Sequence, residues 1–448
     1  MKSTVWKVLA ALLVVSMVIA GCAPAATPVA EPASPEATAA PTEPQAQASE
    51  KIQITMWYHG AGNDVEKSII TQVIDDFNAS QDEYEVVRQD FPQASYNDSV
   101  VAGALAGNLP DIIDMDGPNM PNWAWSGYLA PLSLPDGALD NFLPGAIGEW
   151  DGKVYSVGLW DAACGIYARK SVLEENGIRI PTIEEPWTKD EFDAALVTLK
   201  ATGDYEYPFN VNMAWTGEWY PYAFSPFMQS FGGDIIDRST YLTAQDALNG
   251  PEAIAFGNWW QSMVTDGMMP GPTQSNAEAE TGFLDGKYAM QFAGNWSALA
   301  AVEKFGEDML FLPPPDFGNG PKIGAASWQF GISATSEHQE GANAWIAFAL
   351  QDKYLAAFSN GIGLIPATKT AAALTENYAP GGPLAVFYDL SSNYGTIRPP
   401  TPAYLIAAKV FEKAVADISN GADVTTTLDN AADEIDKDIE ANNGYGFK

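Results

Sequence analysis

His59 and His338 are the only histidines in a chain of 448 residues, and Cys22 and Cys164 are its only cysteines. So short a supply limits the chemistry. A metal centre built on several imidazoles or thiolates cannot be assembled from it, so no metal ligands are assigned. The patterns G-x-S-x-G, H-E-x-x-H, C-x-x-C and G-x-x-x-x-G-K are absent, which removes the usual residues for activated-nucleophile, zinc and nucleotide chemistry, and no cofactor is expected. Glycoside hydrolysis needs two carboxylates roughly 5 to 9 Å apart. With 57 Asp and Glu residues, paired carboxylates in the sequence carry no information about it. What the chain has in excess is flat surface, with 14 Trp and 18 Tyr. Such rings can cover the apolar faces of a guest.

Charge narrows the guests further. The formal net charge of -35 repels nucleic acid and anionic membrane surfaces. Arg88, Arg169, Arg179, Arg238 and Arg398 are the only arginines, too few for a site built around phosphates or several carboxylates. The chain is 47% apolar and longer than one hydrophobic core usually serves, so two domains are expected.

At the N-terminus, Lys2 and Lys7 precede an apolar stretch that is too short to span a bilayer and fits the core of a secretory signal. Ile19-Ala20-Gly21-Cys22 resembles the lipobox of bacterial lipoproteins. That implies a signal peptide over residues 1–21 and a lipidated Cys22 as the new N-terminus. Residues 22–50 form a Pro/Ala/Thr/Glu-rich segment with almost nothing to bury, expected to be a disordered tether reaching roughly 80 Å at about 3.1 Å per residue. No other window is apolar for 18 residues, so the lipid is the only expected membrane contact. Cys164 then has no partner for an internal disulfide and reads as a small buried hydrophobe.

The folded part opens as strand, helix, strand, helix, strand. "KIQITMWY" alternates, Val65, Ile69, Val73 and Phe77 recur every four residues behind Asn63 or Asp64 as cap, and "YEVVRQDF" and "DIIDM" supply two further strands. This pattern predicts βαβ units and a parallel sheet, with ligands beyond the carboxyl ends of the strands, at residues 57–63 and 114–119. "PWTKDEF" starts a helix with Thr188 as N-cap, Glu191 closing a capping box and Trp187 stapled to Phe192. Further helices are expected at 251–265, 340–359, 402–420 and 423–442, with Trp260 and Trp345 on core faces.

"ITMWYHG", "ALAGNLPDIIDMDG" with "WAWSGYLAPL", "DGKVYSVGLW", "ARKSVLEENGI" with "PWTKDEF", "FGGDIID", "FLDGKYAMQFAGNW" and "GANAWIAFAL" resemble, in order and spacing, the family 1 extracellular solute-binding proteins of the maltose-binding type. The resemblance implies an α/β, periplasmic-binding-protein-like type II fold, with two lobes and a ligand cleft and hinge between them. The lobes would be 51–160 plus 330–366 and 161–329 plus 367–448, with crossings near 158–164, 325–331 and 361–367. It implies a monomer that captures a sugar by hinge closure and delivers it to the transmembrane subunits of an ABC permease. A receptor for another small neutral solute, polyol or peptide-like, is the alternative, and a secreted glycoside hydrolase a more distant one.

For the site, the resemblance implies a stacking role for Trp296 in "AGNWS", with Asn295 beside it. It places Trp328 at the second crossing, and Glu218, Trp219 and Tyr220 in a cleft-facing stretch. The strand ends offer Trp57, His59 and Asn63, and Asp116 and Asn119, with Asp116 the preferred hydroxyl acceptor because one carboxylate bridges two vicinal hydroxyls. Trp160 and Asp161 would line the floor or pack the hinge, and Arg398 would reach the ligand or, as the preferred reading, form a salt bridge on the second lobe. Met115, Gly117 and Pro118 stand where the maltose receptor has an aromatic, so maltose itself is not the expected guest.

Overall fold

The computed structural model describes residues 50–60, 64–326 and 328–447. Cys22 and the expected signal and tether up to residue 49 lie outside them, as does Asn63. Among the described residues no helix is long and apolar enough to cross a membrane.

Strand β1 (Ile52–Tyr58) pairs in parallel with both β2 (Tyr84–Asp90) and β3 (Ile112–Asp116). Helices Asp64–Ser80 and Gln93–Ala106 form the two connections. Alternation in β1 sends Ile54, Met56 and Tyr58 inward, onto Ile70, Val73, Ile74 and Phe77 of the first helix. The chain then adds β4 (Leu129–Ala130), β5 (Ile147–Trp150) and β6 (Lys153–Val157). From β6 it passes through Gly158 and Leu159 into β7 (Trp160–Arg169), the ten-residue spine of a second sheet.

That second sheet collects β8 (Tyr207–Asn210), β9 (Tyr288–Gly294), β10 (Met309–Leu312) and β11 (Ile323–Ala326). Next, β12 (Trp328–Ser333) returns to the first sheet, antiparallel to β3 and β6. After two helices β13 (Ile365–Pro366), and after two more β14 (Gly395–Thr396), rejoin the second sheet. The strand order is β2-β1-β3-β12-β6-β5 with β4 beside β12, and β14-β11-β7-β9-β8 with β10 and β13 beside β7. Each sheet has its own main apolar core, and the chain passes from one sheet to the other after β6, after β11 and before β13.

Local rules account for most of the helices. Thr188 Oγ1 accepts from the Glu191 amide at 3.3 Å while Glu191 Oε2 accepts from the Thr188 amide at 3.0 Å. The Trp187 and Phe192 rings lie 5.9 Å apart, so cap and staple together fix the start of helix Lys189–Thr202. Helix Pro251–Thr265 buries Trp260, whose Nε1 donates to Ser419 Oγ at 2.9 Å. Gly257 lets helix Val424–Ala441 come so close that an added Cβ would stand 2.5 Å from Val424. Cys164 is fully buried, and burial pushes its thiol pKa far above the ordinary range.

The expected helix over 340–359 is two, Gln339–Ala349 and Asp352–Ile362. Gln351 is extended between them, and Asp352 accepts from Thr368 Oγ1 at 2.9 Å. The break re-aims Tyr354, Leu355 and Phe358 into the core shared with the first helix, while Trp345 and Ile346 face β12 from the other segment.

Candidate functional site

The site forms where β3 ends and β12 begins. Register pairs Asp116, the last residue of β3, with Trp328, the first of β12. The chain after β3 tightens into a turn, Gly117–Asn119, which packs against the start of helix Tyr404–Ser419 from the other lobe. Asn122 Nδ2 adds a bond to the Pro402 carbonyl at 2.9 Å.

Arg398 enters this junction from the loop after β14, and its partners differ from expectation. Both oxygens of Asp116 accept from it, Oδ1 from Nη2 at 3.0 Å and Oδ2 from Nη1 at 3.1 Å. Nη1 also donates to Glu218 Oε2 at 2.6 Å, and Tyr404 OH donates to that same oxygen at 2.7 Å. The pair therefore joins the two lobes instead of lying within the second. The guanidinium sits 5.2 Å over the Tyr222 ring. Burial disfavours its charge, but Asp116, Tyr404 and Glu218 hold its pKa well above the usual value. Burial, then Asp116, raises the pKa of Glu218 against the pull of Arg398. Two carboxylates around one cation leave a net negative junction.

Glu218 stands immediately before helix Trp219–Phe231, placed by a left-handed turn at Gly217 with φ 75°. Its Oε2 is fixed by two donors, while Oε1 takes no hydrogen bond among the described residues. Its side chain is 33% exposed.

Trp296 is nearby, 39% exposed, its ring 6.0 Å from Trp219 and 6.2 Å from Tyr222. Gly294 makes this possible: a Cβ there would overlap the indole at 2.1 Å, so the ring lies flat on bare backbone. On the first lobe, half-buried Trp328 stacks on His59 with centroids 3.7 Å apart and planes 16° from parallel. His59 is buried, its Nδ1 bonded to Asp114 and its Nε2 3.5 Å from Glu66. Asn119 is buried too, and its Nδ2 has no partner among the described residues.

Other expected residues are placed differently. Tyr220 is core, its hydroxyl donating to Met213 O at 3.0 Å, and Trp219 is 7% exposed with Nε1 on Val211 O at 3.0 Å. Trp160 is buried against Phe358 at 4.4 Å, beneath the first crossing. Asp161 is fully buried and accepts from Ser391 Oγ at 2.6 Å. Asn295 is a clamp: its Oδ1 accepts from the Ala163 amide at 3.1 Å, and its Nδ2 donates to Gly363 O at 2.8 Å. That amide therefore ties β7 to the end of helix Asp352–Ile362. Trp57 lies over Gly103 and beside Phe91, and its open edge lines a groove of about 450 Å³ with Thr55, Val87 and Leu109, on the face of the sheet.

Sequence reasoning missed the role of Arg398, along with Tyr222 and Tyr404. One signal was present. No Asp or Glu lies between Asp389 and Glu412, so Arg398 has no local partner and must find a distant one.

Residues 72–381 match the family described as bacterial extracellular solute-binding protein, a span of more than half the chain. The chain belongs to that family. It is 25% identical to an uncharacterized lipoprotein in the oleD 5' region of Streptomyces antibioticus, over 80% of this chain and 75% of that one. It is 24% identical to the multiple sugar-binding protein of Streptococcus mutans, over 69% and 74%. The crystal structure of the cyclic alpha-maltosyl-1,6-maltose binding protein from Arthrobacter globiformis superposes with a TM-score of 0.72 at 21% identity, covering 88% of this chain and 100% of that one. The fold is thus the two-lobed α/β architecture of the solute-binding proteins.

Proposed function

We propose that this solute-binding protein captures a sugar, an oligosaccharide in preference to a single ring, and presents it to an ABC permease by closing its lobes. The observation that carries this reading is the half-open Trp296 indole, its ring 6.0 Å from that of Trp219, together with Glu218 at the residue before Trp219, a carboxylate with one oxygen fixed and the other without a hydrogen bond among the described residues. A flat apolar face next to an oriented acceptor matches a pyranose, which offers C–H faces and hydroxyl rims. Asn119 and Trp328 would add a donor and a second face from the other lobe. Asp116, both oxygens held by Arg398, is replaced by Glu218 as the preferred hydroxyl acceptor. The sugar-binding names of the Streptococcus and Arthrobacter relatives support the same class of guest.

Calorimetry after a thermal-shift screen of mono- and oligosaccharides tests this. Trp296→Ala is expected to weaken binding of the best sugar more than tenfold with little change in melting temperature, because a 39% exposed ring contributes little to the core. Loss of folding in that variant would assign the ring to the core instead. Product formation during incubation with the same sugars would establish a hydrolase. We further propose that the protein acts as a monomer, held to the cell membrane through lipidated Cys22. The lipoprotein relative in Streptomyces antibioticus supports the anchor.

A further inference from the structure

We propose that Arg398 is a positioning residue that draws the two lobes together before any guest arrives, and that the last residues of the chain supply a second tie. Asp116 belongs to the first sheet, whereas Glu218 and Arg398 belong to elements of the second. Without a cation between them, the two carboxylates would face each other across the junction and repel. With the guanidinium forked onto one and bonded to the other, at 2.6 to 3.1 Å, the same contact is attractive. Opening would part Asp116 from the guanidinium, while Glu218, on the same lobe as Arg398, would keep it, so Arg398 matters to the closed conformer more than to the open one.

The second tie is apolar. A turn with φ of 52°, 69°, 54° and 90° at Asn443, Gly444, Tyr445 and Gly446 turns two aromatic side chains back toward the first lobe. Tyr445 meets Trp125 edge to face at 4.8 Å, its hydroxyl held by Asp438 Oδ2 at 2.5 Å. Phe447 lies between Trp150 of β5, at 5.3 Å, and Tyr241 of the second lobe, at 5.1 Å. Trp150 pairs with Lys153 at the far end of β6. That point is roughly 17 Å from the first crossing at about 3.3 Å per residue, so the tie acts with a long lever arm. Both ties exist in one conformer, and the loss of either lowers its share.

The test uses the full chain without sugar, so it stands or falls independently of the identity of the guest. Small-angle scattering reports the radius of gyration, and hydrogen exchange reports the amides of residues 117–126. Removing one partner of a buried charge pair is expected to lower the closed-to-open ratio roughly a hundredfold. Arg398→Gln should therefore expand the molecule and speed exchange in that turn, with far-UV circular dichroism unchanged. Arg398→Lys should fall between it and the parent, because a single ammonium cannot form the fork. Phe447→Ala should expand the molecule by a smaller amount. Should Arg398→Gln not fold, Asp116→Ala carries the test from the other side of the pair. Folded variants that scatter and exchange like the parent would overturn the proposal.

Discussion

His59 lies 2% exposed under the Trp328 indole, with Asp114 at its Nδ1 and Glu66 near its Nε2. The phenols of Tyr58 and Tyr96 complete its surroundings, and burial keeps both far above their ordinary pKa. Burial alone would strip the imidazole of its proton, but Asp114, then Glu66 and Asp116, outweigh it and raise its pKa. The folded state thus holds this proton more tightly than the unfolded chain does. The resulting stability is complete below the unfolded value of about 6.5 and is lost as pH rises through the higher folded value. Glu66, raised chiefly by burial, acts with the same sign in a more acidic window. The melting temperature is expected to decline as pH is raised above about 6.5. A scanning-calorimetry series in which His59→Gln declines as steeply as the parent over that window would refute the assignment.

At the scale of elements, the helix over Lys189–Thr202 is held at its start by local chemistry alone. Thr188→Ala removes the side-chain acceptor of the capping box and is expected to cost about 1 kcal/mol. In a protein of this size that is a fall of about 2 °C in melting temperature, readable by circular dichroism. The same locality explains what could be read beforehand. Residues 251–265 were legible because Pro251 and the face of Phe256, Trp260 and Met263 are signals within one segment. The break at Leu350 and Gln351 was not legible, since neither Gly nor Pro marks it and both halves carry apolar stripes. The site divides the same way. Aromatic residues in "TGEWYPYAF" suit a core as well as a cleft, and only the fold separates Tyr220, buried, from Glu218, open at the helix start. The partners of Arg398 are 282 and 180 residues away in sequence, a distance no periodicity reports.

For the whole molecule, the described residues contain no helix that could anchor the protein in a bilayer. The proposed anchor is the lipid on Cys22. Cys22→Ala is expected to move the protein from the membrane to the soluble fraction, measured by immunoblot after ultracentrifugation. Retention in the pellet would remove the anchor from the proposal. The chain passes between the two sheets, each with its own main core, at short segments, and the proposed closure would turn on them. Asn295 ties β7 at Ala163 to Gly363 at the end of helix Asp352–Ile362, and Trp296 is its next neighbour. On the proposed reading, a guest settling on the indole would press on that clamp through a single peptide bond, so that sensing and movement would share one joint.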